Sequence, residues 1–268
     1  MQMGNTVRAR PLVFVAALAA TVLAGVSVHA QGRAGGRGAA EEPQTAQAQA
    51  PIDLAGIWVA NISEDWRYRM VTPPKGDFAS IPINAAAMKV VEAWDPAKDE
   101  ASGEQCKSYG APGLMRAPTR LRISWLDPNT LKVESDYGMQ TRLLHFGAWK
   151  PEAGAPTWQG NTVARWEGGR GRGGAAGGEN APRSGSLRTV TNHLRPGYLR
   201  KNGVPYSGSA VLTEHWDLTA SRNGDQWLVV TSVVNDPVYL QLPWITALHF
   251  KKEADGGKWE PTPCNARW

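Results

Sequence analysis

Residues 120–135 read Arg-Leu-Arg-Ile-Ser-Trp-Leu-Asp-Pro-Asn-Thr-Leu-Lys-Val-Glu-Ser. Leu121, Ile123 and Trp125 alternate with Arg120, Arg122 and Ser124. Asp127-Pro-Asn-Thr130 punctuates the run, and Leu131, Val133, Ser135 and Tyr137 then alternate with Lys132, Glu134 and Asp136. A period of two on both sides of turn text is a hairpin with one buried face. The same grammar extends in both directions. Leu54 to Ile62 is apolar and β-favouring, and further strands are expected at 140–146, 157–167, 186–195, 209–219, 226–235 and 244–252. Asn202-Gly203, Arg222-Asn-Gly-Asp225 and Asp255-Gly-Gly257 supply turns between them. One short helix is expected, capped by Asn84, filled by Ala85 to Ala93 and stopped at Asp95-Pro96. Without helical crossovers a parallel βαβ fold is excluded. The expected fold class is all-β: an antiparallel meander that hides its edges by closing into a β-barrel.

Composition agrees with that class. The chain has 268 residues, 42% hydrophobic and 20% charged, which excludes a wholly disordered chain. Twelve Trp stand against 4 Phe and 6 Tyr, an excess of large amphipathic rings that suits strands or an aromatic-lined pocket. The formal net charge of +5 is small and scattered, and it gives no reason to expect nucleic acid as a partner.

Residues 1–30 read as a signal peptide. Arg8 and Arg10 form a basic start, Val13 to Val28 is a small-apolar run, and Val28-His29-Ala30 sets up cleavage after Ala30. The mature protein is therefore expected to be periplasmic or secreted and soluble, with no stable membrane insertion. Residues 31–51, rich in Gly, Ala and Gln, read as a flexible leader, and 52–268 as a single barrel-like domain. That domain is interrupted by a low-complexity, disordered hairpin loop at 168–185. Export into an oxidising compartment favours a disulfide between the only two cysteines, Cys106 and Cys264, with two free thiols as the alternative.

Gly56-Ile57-Trp58 on the first strand resembles the lipocalin and wider calycin families, in which such a Trp plugs the barrel floor. Ser135-Asp136-Tyr137 is loosely similar to their Thr-Asp-Tyr block. The resemblance implies a lipocalin-like barrel with a basic residue of the last strand, Lys251 or Lys252, packed on Trp58. The segment 63–118 departs from a compact lipocalin. Glu64-Asp-Trp-Arg-Tyr-Arg-Met70, Pro73-Pro-Lys-Gly-Asp77 and His193-Leu-Arg-Pro-Gly-Tyr-Leu-Arg-Lys201 also resemble a set of exported bacterial proteins over most of the mature chain. That second resemblance implies export and supplies no chemistry.

Three constellations are candidates for a site. His145, His193, His215 and His249 all fall in expected strands. If their faces point inward they converge in the lumen, as ligands of zinc, copper or iron or as acid/base groups. The bland alternative is four isolated strand histidines, each bonded locally. Glu64, Asp65, Arg67 and Arg69 alternate with Trp66, Tyr68 and Met70, so an extended strand would set Glu64 among rings and raise its pKa. The alternative is a solvated face of surface ion pairs. Arg195-Pro-Gly-Tyr198-Leu-Arg200-Lys201 forms either a rim for a carboxylate or phosphate, or a basic hairpin tip kept soluble by its charges.

The expected catalytic set is His193, His249 and Glu64. The expected ligand-binding set is His145, His215, Trp66, Arg67, Tyr137, Arg195 and Tyr198. No cofactor is expected, with a divalent metal on the four histidines held open. The expected partner is a small apolar or aromatic molecule bound in the lumen. The alternatives are a hydratase, isomerase or lyase acting in the same lumen, metal-assisted or metal-free, and a structural protein of the cell envelope. No nucleophile elbow, phosphate loop, dinucleotide fingerprint or Cys-x-x-Cys is present.

Overall fold

A computed structural model describes residues 44–151, 153–168 and 185–267. The signal segment 1–30, most of the leader and all but the ends of the 168–185 stretch lie outside the described residues. Gly168 and Gly185, which flank that stretch, are cross-strand partners.

Nine strands close into a barrel: β1 (Gly56–Asn61), β2 (Arg120–Asp127), β3 (Thr130–Ser135), β4 (Gln140–Phe146), β5 (Asn161–Gly168), β6 (Gly185–Asn192), β9 (Val211–Ala220), β10 (Gln226–Asn235) and β11 (Trp244–Glu253). β7 (Gly197–Arg200) and β8 (Val204–Tyr206) form a separate hairpin. Around the barrel the order is β1-β11-β10-β9-β6-β5-β4-β3-β2, and β2 pairs with β1 again. Every neighbouring pair is antiparallel except β4 and β5. This corrects the purely antiparallel expectation, and the reason is counting: strictly alternating directions cannot close a ring with an odd number of strands. The strand β6 also pairs directly with β9, so the β7–β8 hairpin is an excursion from the meander.

The inward phase is the apolar one. Trp58, Leu121, Leu144, Trp216, Leu228 and Phe250 are almost fully buried in one core cluster, and this packing fills one part of the lumen. Trp58 donates from Nε1 to the Leu54 carbonyl at 2.9 Å, and the Lys252 ammonium lies 5.3 Å from its ring centroid. Elsewhere inside the barrel Arg142 meets Glu214 in a fork, at 3.0 and 2.6 Å, with both side chains fully buried. Thr189 donates to the same carboxylate at 3.0 Å, and Thr191 accepts a long bond of 3.4 Å from Arg142. The barrel's own side chains thus occupy these parts of its interior.

The segment between β1 and β2 is where the helices are. α1 (Ala46–Gln49) precedes β1, and α2 (Trp66–Arg69), α3 (Ala85–Ala93), α4 (Pro96–Ala101) and α5 (Ala111–Leu114) follow, with a 3-10 turn at Lys107–Tyr109. The expected helix is α3, and Asn84 caps it by accepting from the Ala86 and Ala87 amides. The others are four to six residues long, too short to leave a helical period in the sequence. None of the described helices is long and apolar enough to cross a membrane. The last residues of the expected flexible leader are structured. Ala46 is buried against the barrel core, its amide donates to Asn129 and its carbonyl accepts from Trp166.

A second core cluster joins this segment to the hairpin: Ile83, Ala87, Val91, Leu199, Val204 and Tyr206 belong to it. Gly203 turns the hairpin at φ +84°, and a Cβ there would lie 2.3 Å from the Trp94 side chain. Cys106 and Cys264 form the expected disulfide, with their Cα atoms 5.1 Å apart.

Candidate functional site

Of the stretches that carry the resemblance to exported bacterial proteins, 64–77 and 193–201 are far apart in sequence and meet in space. Tyr68 and Arg69 of α2, Tyr109 of the 3-10 turn, Arg116 after α5, and Arg200 and Lys201 at the end of β7 line one cavity of about 30 Å³. Asp77, from the middle stretch, receives Arg200 Nη1 on its backbone oxygen at 3.3 Å, and Asn202 Nδ2 on the same oxygen at 2.7 Å.

The lining is cationic and buried: Arg69 is 1% exposed, Arg200 3%, Arg116 7% and Lys201 7%. Arg69 pairs with Glu64 at 2.8 Å and donates to the Arg116 carbonyl at 2.9 Å. Arg116 pairs with Asp65 at 3.1 Å and stacks over Trp244. Arg200 is held by the Ala79 carbonyl at 2.9 Å and lies 4.2 Å from the Tyr68 ring centroid. Lys201 Nζ contacts Tyr109 Oη at 2.8 Å, Tyr137 Oη at 3.1 Å and the Asn265 carbonyl at 3.3 Å.

Crowding cations away from water is costly, because burial disfavours their charged forms. Burial, then the charge of Arg116, pulls both Arg69 and Arg200 down to about 10. Burial pulls Lys201 down to about 7. It pushes the Tyr109 and Tyr137 phenols up, so both stay protonated at neutral pH. Among the described residues, Arg69 Nη2 and Arg200 Nε are buried with no hydrogen-bond partner. An unpaired buried donor costs about 1–3 kcal/mol, more when charged, so an acceptor entering the cavity would gain that much.

The disulfide helps to build this wall. It fixes Cys264 beside the 3-10 turn, where the Asn265 amide donates to Tyr109 Oη at 3.2 Å. Gly138, at φ +82°, lets the Tyr109 ring approach so closely that a Cβ there would lie 2.1 Å from it.

The histidines do not converge. His145, His215 and His249 sit on the outward phase of β4, β9 and β11, because Leu144, Phe146, Trp216, Leu248 and Phe250 take the inward positions. His145 stacks on Trp149 with centroids 3.9 Å apart, and His215 lies 3.4 Å from Glu167. His193 lies just past β6, exposed, at φ 54° with Nε2 2.9 Å from the Gly154 carbonyl. Among the described residues no group of three or more His, Cys, Asp or Glu side chains is placed to hold a metal.

Other expected site residues divide. Residues 66–69 form a helical turn, so the shared face expected of Glu64, Trp66 and Tyr68 is absent, and Trp66 is exposed. Burial raises the Glu64 pKa, but the bond from Ser63, its own backbone amide, Arg69 and His249 outweigh it, and the carboxyl sits low. That corrects the expected raised carboxylate. Glu64 and His249 are nevertheless neighbours, 3.5 Å apart. Arg67 bonds the Tyr68 hydroxyl but does not itself line the cavity, while Tyr137 contacts the cavity residue Lys201. Arg195 pairs with Glu104 and stacks on Trp158, and Tyr198 donates to Asp99 at 2.9 Å. Both belong to a neighbouring network. The soluble-tip alternative for 195–201 is also corrected, since Arg200, Lys201 and Asn202 are buried.

Sequence reading offered Arg200 and Lys201 as part of a rim for a carboxylate or phosphate and named Arg69 only within a charged cluster, and it missed Tyr109 and Arg116 altogether. The residues 116 and 109 carry no local motif, so only their burial reveals them. A wider groove of about 570 Å³ borders Gln47 to Ala55 and Trp125, at the opposite end of β2, and Asp53 is its one charged lining residue. Comparisons with protein-family models, with curated proteins and with solved structures find no match.

Proposed function

We propose that this is an exported protein that binds a small organic anion, holding a carboxylate, phosphate or sulfate group of the ligand in the arginine-lined cavity at one end of the barrel. The observation that carries this reading is the pair of buried, partnerless guanidinium nitrogens on Arg69 and Arg200. Guanidinium forks match planar oxyanions, and a dry pocket strengthens each bond. A cavity of about 30 Å³ takes one compact anionic group and leaves the rest of the ligand at the mouth. The expected apolar or aromatic character of the ligand is retained only for that outer portion. Export is supported by the signal-like first 30 residues and by the disulfide. The filled barrel favours a second reading, a structural role in the cell envelope.

Calorimetry and thermal shift with acetate, benzoate and inorganic phosphate test the choice. Saturable binding of at least one of them, tighter than about 1 mM and weakened by Arg200→Met, is expected. Failure of all three to bind wild-type protein would leave the structural reading.

A further inference from the structure

We propose that the Lys201 amine is a covalent site for short 2-oxo acids, condensing with their carbonyl to form an imine while the arginines of the same cavity hold the carboxylate. This rests on the anion-pocket reading above and names a substrate class for it.

Three observations meet at Lys201. It shares one small cavity with Arg69, Arg116 and Arg200. A cavity of about 30 Å³ suits a short ligand whose reacting carbon is adjacent to its carboxylate. A carbonyl next to the carboxylate defines a 2-oxo acid. Neutral oxygens, at 2.8, 3.1 and 3.3 Å, orient Nζ. Burial, which disfavours the ammonium, keeps a useful fraction of the amine neutral near pH 7.

The step balances without any further reagent. The Nζ lone pair forms the C–N bond as the carbonyl π pair moves to oxygen, and a proton passes from nitrogen to that oxygen. The carbinolamine hydroxyl then leaves as water, taking a second proton, and the C=N bond forms. Tyr109 and Tyr137 hydroxyls, kept protonated by burial, stand within hydrogen-bond reach of Nζ to relay those protons.

Reductive trapping tests it. The mature protein is incubated with pyruvate and sodium cyanoborohydride, then analysed by intact mass and peptide mapping. One adduct, equal to pyruvate less one oxygen and located on Lys201, is expected. Saturating inorganic phosphate should suppress it, and Arg200→Met should slow it about tenfold, the loss of one good charged contact. Lys201→Met should abolish it. The phosphate competition is read on wild-type protein, so it decides the matter even if Lys201→Met fails to fold. No adduct, or adducts only on exposed lysines such as Lys75 and Lys258, would overturn the proposal. Acetate binding without a Lys201 adduct would defeat this inference and leave the anion pocket standing. Absence of any anion binding would defeat both.

Discussion

Lys201 Nζ and Tyr109 Oη lie 2.8 Å apart, although 92 residues separate them in the chain. The contact joins the β7–β8 hairpin to the 3-10 turn that the disulfide anchors, and it places an amine where water is scarce. Much of the chain's testable behaviour follows from that placement.

Stability should rise with pH because of Lys201. Its folded pKa, about 7, lies below the ordinary 10.5, so the unfolded chain holds the extra proton between those values. The penalty is therefore full below pH 7 and disappears as pH climbs toward 10.5. Denaturant titrations between about pH 7.5 and 9.5 should show stability increasing by up to about 1.4 kcal/mol per pH unit. Lys201→Met should flatten that slope. An unchanged slope in the variant would mean that the amine titrates normally.

Breaking the Cys106–Cys264 bridge should cost more than stability. With a sequence separation of 158 between the cysteines, the chain-entropy model gives about 5 kcal/mol. Because Asn265 and Tyr109 are held through the same corner, the double variant Cys106→Ser/Cys264→Ser should also lose anion binding at temperatures where it remains folded. Calorimetry at 10 °C below its own melting point, about the smallest safe margin for a domain of this size, reads this directly.

The barrel's internal ion pair should behave as a unit. Glu214→Gln or Arg142→Met alone should destabilise by about 3–5 kcal/mol, since each strands a buried partner. Replacing both with Met and Leu should recover most of the loss. A fully additive double variant, measured by urea unfolding, would show that the two charges are not coupled.

Trp58→Ala should cost about 3–5 kcal/mol as a large core truncation. His145→Ala, His193→Ala and His215→Ala should each leave anion binding within about twofold of wild type, because none of them lines the cavity. Loss of binding in any of the three histidine variants would move the site.

The strands were readable because one face of each is buried, and burial leaves a period-two record in residue type. Residues 140–146 and 226–235 were expected as strands and are β4 and β10. Helix α3 was readable because nine residues allow a cap and a stop to show. Direction leaves no such record. An alternating strand reads the same whether its neighbour runs parallel or antiparallel, so the β4–β5 pair emerged only on closure. Phase was equally hidden at the histidines. His249 and Leu248 both lie on β11, and only the competition for core volume decides that the leucine points in.

By itself the sequence determined a β-rich body, the strands of the barrel and one capped helix, and it favoured the pairing of its two cysteines, because each leaves a local or countable mark. The cationic cavity was decided by tertiary structure alone. In the sequence Arg200 and Lys201 read either as an anion-holding rim or as a soluble tip, and only the fold removes their water and brings them together with Arg69 and Arg116 from three separate stretches of chain. A charge acquires its cost, and its capacity to hold an anion, from the dielectric around it, which is a property of packing and not of residue type.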